Sequence, residues 1–217
     1  MTRFKICCIS SVGEAALAVR AGASALGFVS AMPSGAGVVE EELISEIIPT
    51  VPPGVSTFLL TCSTDVERIT DQQRHTRANT LQLVDAVTPE ARRALRNRLP
   101  GIAIVQVVHV QGPESVDDAL ASQEHSDAIL LDSGNPSLAV KELGGTGRVH
   151  DWSISARIRE QVRVPLFLAG GLNPGNVAGA IRAVRPYGVD ICSGLRPEGR
   201  LDEGRLNGFV QAIRDAG

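Results

Sequence analysis

The feature that most constrains this chain is an alternation: eight short apolar, β-branched runs, each followed by a segment of helical character. The runs are Phe4–Ile9, Ala25–Val29, Val55–Thr61, Thr80–Val84, Ile102–Val110, Ala128–Leu131, Val164–Ala169 and Val189–Cys192. The helical segments lie near 12–21, 40–48, 65–75, 89–98, 115–121, 153–161, 174–184 and 203–214. Such an order predicts βα units on a parallel sheet. Eight units in 217 residues average about 27 residues each, compact for a barrel of roughly 250 residues. An open sheet that binds a dinucleotide would carry a glycine-rich turn after its first strand, where this chain reads Cys7-Cys8-Ile9-Ser10-Ser11. The predicted architecture is therefore α/β, a single-domain (β/α)8 TIM barrel over residues 1–217, with no linker or charge block to divide it.

Composition narrows the partners. With 21 basic and 24 acidic residues the formal charge is −3, which offers no general attraction to nucleic-acid phosphates or an anionic membrane. Hydrophobic residues at 43% suffice for a core, and aromatics at only 3% leave Val, Leu, Ile and Ala to fill it. No window approaches the length of a membrane span, and the first residues lack the pattern of a secretion signal, so a cytoplasmic location is expected. Cys7, Cys8, Cys62 and Cys192 show no C-x-x-C spacing, and adjacent cysteines bridge each other only with strain, so neither a disulfide framework nor a metal site is expected. His75, His109, His125 and His150 show no ligand spacing either.

Chemistry in a barrel belongs at the carboxyl ends of its strands. Alternation along the first strand puts Lys5 and Cys7 inside and Phe4, Ile6 and Cys8 towards the helices. Cys7 at that strand's end is then a candidate base or nucleophile, against the plain reading of a small buried hydrophobe. The sixth strand ends abruptly in Asp132, which is either catalytic or a loop cap. Three glycine signals follow: Gly144-Gly145-Thr146-Gly147, Gly170-Gly171 after the seventh strand, and Ser193-Gly194 after the eighth. The last two occupy the usual phosphate position of such barrels, although any one Gly-Gly is also ordinary turn chemistry. Asp190 shares the parity of Cys192 and reads as a ligand contact or a structural ion pair, and His109 near the end of the fifth strand faces the site.

The sequence resembles the phosphoribosylanthranilate isomerase family of tryptophan biosynthesis over nearly its whole length. The matching segments are Lys5-Ile6-Cys7-Cys8-Ile9-Ser10, Gly22-Ala23-Ser24-Ala25-Leu26-Gly27-Phe28-Val29, Leu81-Gln82-Leu83, Leu130-Leu131-Asp132-Ser133, Gly144-Gly145-Thr146-Gly147 with Asp151-Trp152, and Leu168 through Val177. Arg185-Pro186-Tyr187-Gly188-Val189-Asp190 leading into Ser193-Gly194 completes the match. The resemblance implies an Amadori rearrangement of an N-(5-phosphoribosyl) amine to a 1-amino-1-deoxyketose phosphate, with no metal or organic cofactor. It implies Cys7 as general base and Asp132 as general acid. Gly145, Gly170, Gly171, Ser193 and Gly194 would then hold the phosphate, and Asp190, Gln82 and His109 the rest of a small phosphorylated aminosugar, in a monomer or homodimer.

Departures from the family fall at the amine end. Ala36, in Pro33-Ser34-Gly35-Ala36-Gly37, stands where the family carries the Arg that holds the anthranilate carboxylate. Val84-Asp85 replaces the family's His-Gly after the fourth strand, Gln106 and His109 replace a Lys and an Arg in the fifth, and Cys8 replaces a Gly. A bidentate Arg–carboxylate contact contributes roughly 1.5–3 kcal/mol, so Arg148 and Arg196, in loops on the same face, are the expected substitutes. Two other readings stay open on the sequence: a paralogue isomerising a different phosphorylated aminosugar, and a non-catalytic protein that binds a phosphate ligand.

Overall fold

The computed structural model describes residues 1–143 and 147–216. The expected Gly145 contact therefore lies outside the described residues. Eight parallel strands close into a barrel in sequence order, with the first hydrogen-bonded to the last. They are β1 (Arg3–Ile6), β2 (Ala25–Val29), β3 (Ser56–Thr61), β4 (Thr80–Leu83), β5 (Ala103–His109), β6 (Ala128–Asp132), β7 (Leu166–Leu168) and β8 (Gly188–Ile191). Helices α1 (Val12–Arg20), α2 (Glu41–Ile47), α3 (Val66–Thr76), α4 (Pro89–Arg98), α5 (Ser115–Ser122), α6 (Trp152–Gln161), α7 (Val177–Val184) and α8 (Glu203–Asp215) return the chain between them and after β8. None of the described helices is long and apolar enough to cross a membrane.

Two apolar layers result from the period of two along each strand. Phe4, Ile6, Leu26, Phe28, Leu59, Leu81, Ile129 and Leu131 face outward and pack with helix residues such as Ala18, Ile44, Ile69, Leu95 and Phe209. Ala25, Phe58, Val105, Val107, Ala128, Leu130 and Phe167 fill the barrel itself. Helix starts are set locally: Ser11, Asp65, Thr88, Asp151 and Asp202 each accept a backbone N–H of the first turn, and Pro89 pre-sets the φ of α4. Each such cap stabilises its helix by about 1 kcal/mol.

Two expectations fail at the carboxyl ends of β1 and β8. β1 stops at Ile6 and β8 at Ile191, short of Ile9 and Cys192. Cys8 adopts φ 63°, a left-handed conformation that interrupts the alternation. Its side chain therefore turns into the inner cluster rather than towards the helices. There it forms a disulfide with Cys192, 184 residues away, where the cysteine spacing had predicted none. The partner was invisible in sequence because only ring closure brings β1 beside β8.

Phe28 is fully buried beneath the helices, so Phe28→Ala removes contacts that the surrounding layer cannot refill. The expected loss is about 3–5 kcal/mol, read as a lower urea midpoint at unchanged slope.

Candidate active site

The strand ends open into a cavity, contiguous with solvent, that collects Cys7, Gln82, Asp132, Gly170, Gly171, Asp190 and Ser193. These come from β1, β4, β6, β7 and β8 or the turns that follow them, which is how a barrel gathers groups distant in sequence.

At its floor lies a buried charged group. Lys5 is completely buried, and its Nζ donates to Asp190 Oδ2 at 2.7 Å across the β1–β8 seam, where the two residues stand in register. Burial alone would lower the Lys5 pKa, but the Asp190 carboxylate and the Cys7 sulfur outweigh it and hold the ammonium charged. Gly27 makes room for this arrangement: a Cβ there would lie 2.8 Å from Cys7 Sγ and 2.9 Å from Lys5 Nζ. Burial pushes the Cys7 thiol up to about 11, with Lys5 pulling it down and Asp190 pushing it further up. Across the cavity, burial raises the Asp132 carboxyl above the usual range, opposed by the Ser133 N–H, which donates to its Oδ1 at 2.7 Å. Burial thus raises the Asp132 carboxyl on one side of the cavity and the Cys7 thiol, beside the Lys5 ammonium, on the other.

Two buried acceptors point to a polar occupant. Asp190 Oδ1 and Gln82 Oε1 are enclosed and have no hydrogen-bond partner among the described residues. An unsatisfied buried acceptor costs about 1–3 kcal/mol, which ligand hydroxyl or amine donors would recover.

Beside them, the turns after β7 and β8 form a glycine cradle. Gly170 and Gly171 have φ 83° and 63°, and a Cβ at Gly171 would lie 2.6 Å from the Arg148 carbonyl. At Gly194 a Cβ would lie 2.1 Å from the Leu172 carbonyl oxygen, so the two turns touch only because that side chain is absent. The N–H groups of Gly170, Gly171, Ser193 and Gly194 have no acceptor among the described residues. Backbone N–H groups without an acceptor among the described residues, at two touching glycine turns, suit an anion.

Other sequence candidates fall elsewhere. His109 does not line this cavity: its Nε2 donates to the Val84 carbonyl at 2.9 Å, and its ring faces an outer groove that it shares with Gln106 and Gln111. Arg196 is buried and committed, donating to Glu14 Oε1 at 2.8 Å and the Cys7 carbonyl at 3.1 Å. Arg148 pairs with Glu142. Neither arginine lines the cavity, and no Arg or His side chain does so among the described residues. The wall around Ala36 is instead apolar, made by Val29, Met32, Ala36, Leu60, Val84 and Leu143. Sequence reasoning missed Lys5 as part of the site, although its inward parity beside Cys7 was legible.

A closed (β/α)8 barrel with its polar groups and glycine turns gathered at the carboxyl ends of the strands is the architecture of the TIM-barrel enzymes. Residues 4–212 match the family described as N-(5'phosphoribosyl)anthranilate (PRA) isomerase. N-(5'-phosphoribosyl)anthranilate isomerase 2 of Methanosarcina mazei is 37% identical, with 98% of this chain and 94% of that protein covered. The Methanothrix thermoacetophila isomerase is 35% identical, with 99% of each covered. Among solved structures, the phosphoribosyl anthranilate isomerase of Thermotoga maritima superposes with TM-score 0.86 at 32% identity over 99% of this chain and 100% of that one. The chain belongs to the phosphoribosylanthranilate isomerase family.

The opposed effects of Lys5 and Asp190 give a test of the floor. Alkylation of Cys7 by iodoacetamide, followed on its own peptide, is expected to rise about tenfold per pH unit from neutrality without a plateau below pH 10. Asp190→Asn should speed it at neutral pH, because the anion that disfavours the thiolate is gone while Lys5 remains. An unchanged rate in that variant would contradict the assignment.

Proposed function

We propose that this chain catalyses the Amadori rearrangement of N-(5'-phosphoribosyl)anthranilate to 1-(o-carboxyphenylamino)-1-deoxyribulose 5-phosphate, an aldose-to-ketose isomerisation without a cofactor. The observation that carries this reading is that Cys7 and Asp132, three strands apart around the ring, line one cavity beside an anion cradle. A relative of the same fold, at TM-score 0.83 and 30% identity, was solved with the reduced form of that product.

In this scheme Asp132, its pKa raised by burial, delivers its proton to the furanose oxygen as the C1–O bond breaks and an iminium forms. The Cys7 thiolate, formed when the thiol gives its proton to solvent, then removes the C2 proton, giving an enolamine that tautomerises to the ketone. Lys5 stabilises the thiolate that this step requires, and the pair Asp190 Oδ1 and Gln82 Oε1 accept from the ribose hydroxyls. The phosphate rests on the N–H groups of Gly170, Gly171, Ser193 and Gly194, whose binding energy fixes the sugar between acid and base. Both chemical steps are proton transfers between groups already present in the cavity.

Cys7→Ala and Asp132→Asn are each expected to lower kcat by roughly 10²–10⁴-fold in an assay that follows loss of anthranilate-type fluorescence from freshly made substrate. Turnover that survives either change would overturn the assigned roles. A folded protein that binds the substrate without turning it over would leave the binding-only reading.

The apolar wall around Ala36 favours a second feature of the same reading, a loose requirement for the amine's carboxylate. An Arg–carboxylate pair would discriminate about 10- to 150-fold. The phosphoribosyl adduct of aniline should accordingly react with kcat/KM within about fivefold of the anthranilate compound, well inside that range. A hundredfold preference for anthranilate would show that a cation reaches the carboxylate after all.

A further inference from the structure

We propose that the Cys8–Cys192 disulfide is a positioning device for the phosphate, so that the affinity of the site for phosphorylated ligands follows the redox state of these two sulfurs. Its kinetic consequence rests on the isomerase reading above; its binding consequence does not.

The bridge spans the seam at its most consequential point. Cys8 follows the thiol that the scheme uses as base, and Cys192 precedes Ser193 of the anion cradle; both bridged residues line the cavity. Their Cα atoms lie 5.9 Å apart. Below the bridge the ladder continues only through the Cys7 N–H, which donates to the Ile191 carbonyl at 2.8 Å. Beyond that bond the two chains diverge, Cys8 by its left-handed backbone and Ser193 into a short 3-10 turn, Ser193–Leu195. Above that last hydrogen bond the disulfide is the covalent tie between the cradle and the base, beside the hydrogen bond that Arg196 Nη2 donates to the Cys7 carbonyl at 3.1 Å.

A third segment leans on the bridge. Gly37, with φ 80°, approaches so closely that a Cβ would lie 2.4 Å from Cys8 Cβ. The Cys8 sulfur also lies 3.7 Å from the Ala36 carbonyl oxygen. Two thiols cannot remain at bonding distance. On reduction they must separate to van der Waals contact, and the packed Gly37 segment blocks movement on the Cys8 side. The displacement is therefore directed to Cys192, which is partly exposed at the cavity, and through it to Ser193 and Gly194. The expected outcome is a looser phosphate grip with the acid and base left in place.

The redox step balances with a small-molecule disulfide as oxidant. One cysteine thiolate attacks it, forming a mixed disulfide and releasing one small thiol. The second cysteine thiolate then displaces the other, so the protein loses two electrons and two protons and the oxidant becomes two thiols. A dithiol reductant reverses it.

The test compares the full chain after oxidised glutathione and after dithiothreitol. Acid-quenched alkylation and peptide mapping should find Cys7 and Cys62 alone modified in the oxidised protein and all four cysteines in the reduced one. Inorganic phosphate is the binding probe. Its Kd, and the KM for the phosphoribosyl substrate, should each rise roughly 3- to 10-fold on reduction while kcat stays within about twofold. Reoxidation should restore both. The double variant Cys8→Gly, Cys192→Ser suits the left-handed backbone at position 8 and should match the reduced protein without responding to dithiothreitol; Cys62→Ser should respond as the unaltered chain does. Four reactive thiols after oxidation, or one phosphate Kd in both states, would overturn the proposal. Failure of turnover alone, with phosphate Kd still redox-dependent, would instead count against the isomerase reading.

Discussion

The barrel closes where Lys5 of the first strand meets Asp190 of the last, and this buried contact is the one on which the site depends. Moving either charge out of water costs several kcal/mol, and pairing at 2.7 Å offsets that cost only if both sit at the same level of the ladder. A slip of one residue between β1 and β8 would turn one partner towards the helices and leave the other alone inside. Removing one member of such a pair costs about 3–5 kcal/mol, so the contact acts chiefly on register. It selects the one closure in which Cys7 and Asp190 face the same space.

From that seam the electrostatics of the cavity follow. Asp190 disfavours ionisation both of Cys7 beside it and of Asp132 across from it, while Lys5 opposes it at both. Burial sets the dominant direction at Cys7 and Asp132, raising both the thiol and the carboxyl. A raised carboxyl suits the acid that the proposed ring opening calls for, and a raised thiol is protected from casual alkylation. The Asp190 carboxylate keeps Oδ1 buried without a hydrogen-bond partner among the described residues.

The amine end is built on a different principle. Each basic side chain named around this rim is claimed by a carboxylate: Arg196 by Glu14, Arg148 by Glu142, and Lys141 by Asp85 at 2.5 Å. Arg196 serves the scaffold rather than the ligand, since it ties the turn after β8 to α1 and to the Cys7 carbonyl. What remains for the amine is apolar surface around Ala36 and Met32, suited to the face of an aromatic ring. In the proposed reading, Ala36 stands in a wall that would bind the amine by area rather than by charge.

Much of this was legible in the residues. The eight apolar runs located every strand, because fully buried parallel strands must be near-continuous in Val, Leu, Ile and Ala. Parity along β1 placed Lys5 and Cys7 inside, and an apolar run ending in Asp132 marked the opposite wall, because side-chain direction in a strand is a local property. The same rule failed at Cys8, where a left-handed φ cancelled the alternation, and at His109, whose ring is drawn away by the Val84 carbonyl. Contacts between the chain's two ends were beyond it altogether. Lys5 with Asp190, Arg196 with Glu14, and Cys8 with Cys192 are separated by 185, 182 and 184 residues. The sequence by itself determined the elements and the face each residue presents, since these depend on neighbours in the chain. Only closure of the ring decided which of those faces meet, because the partner of each residue at the seam is set by the register of β1 on β8.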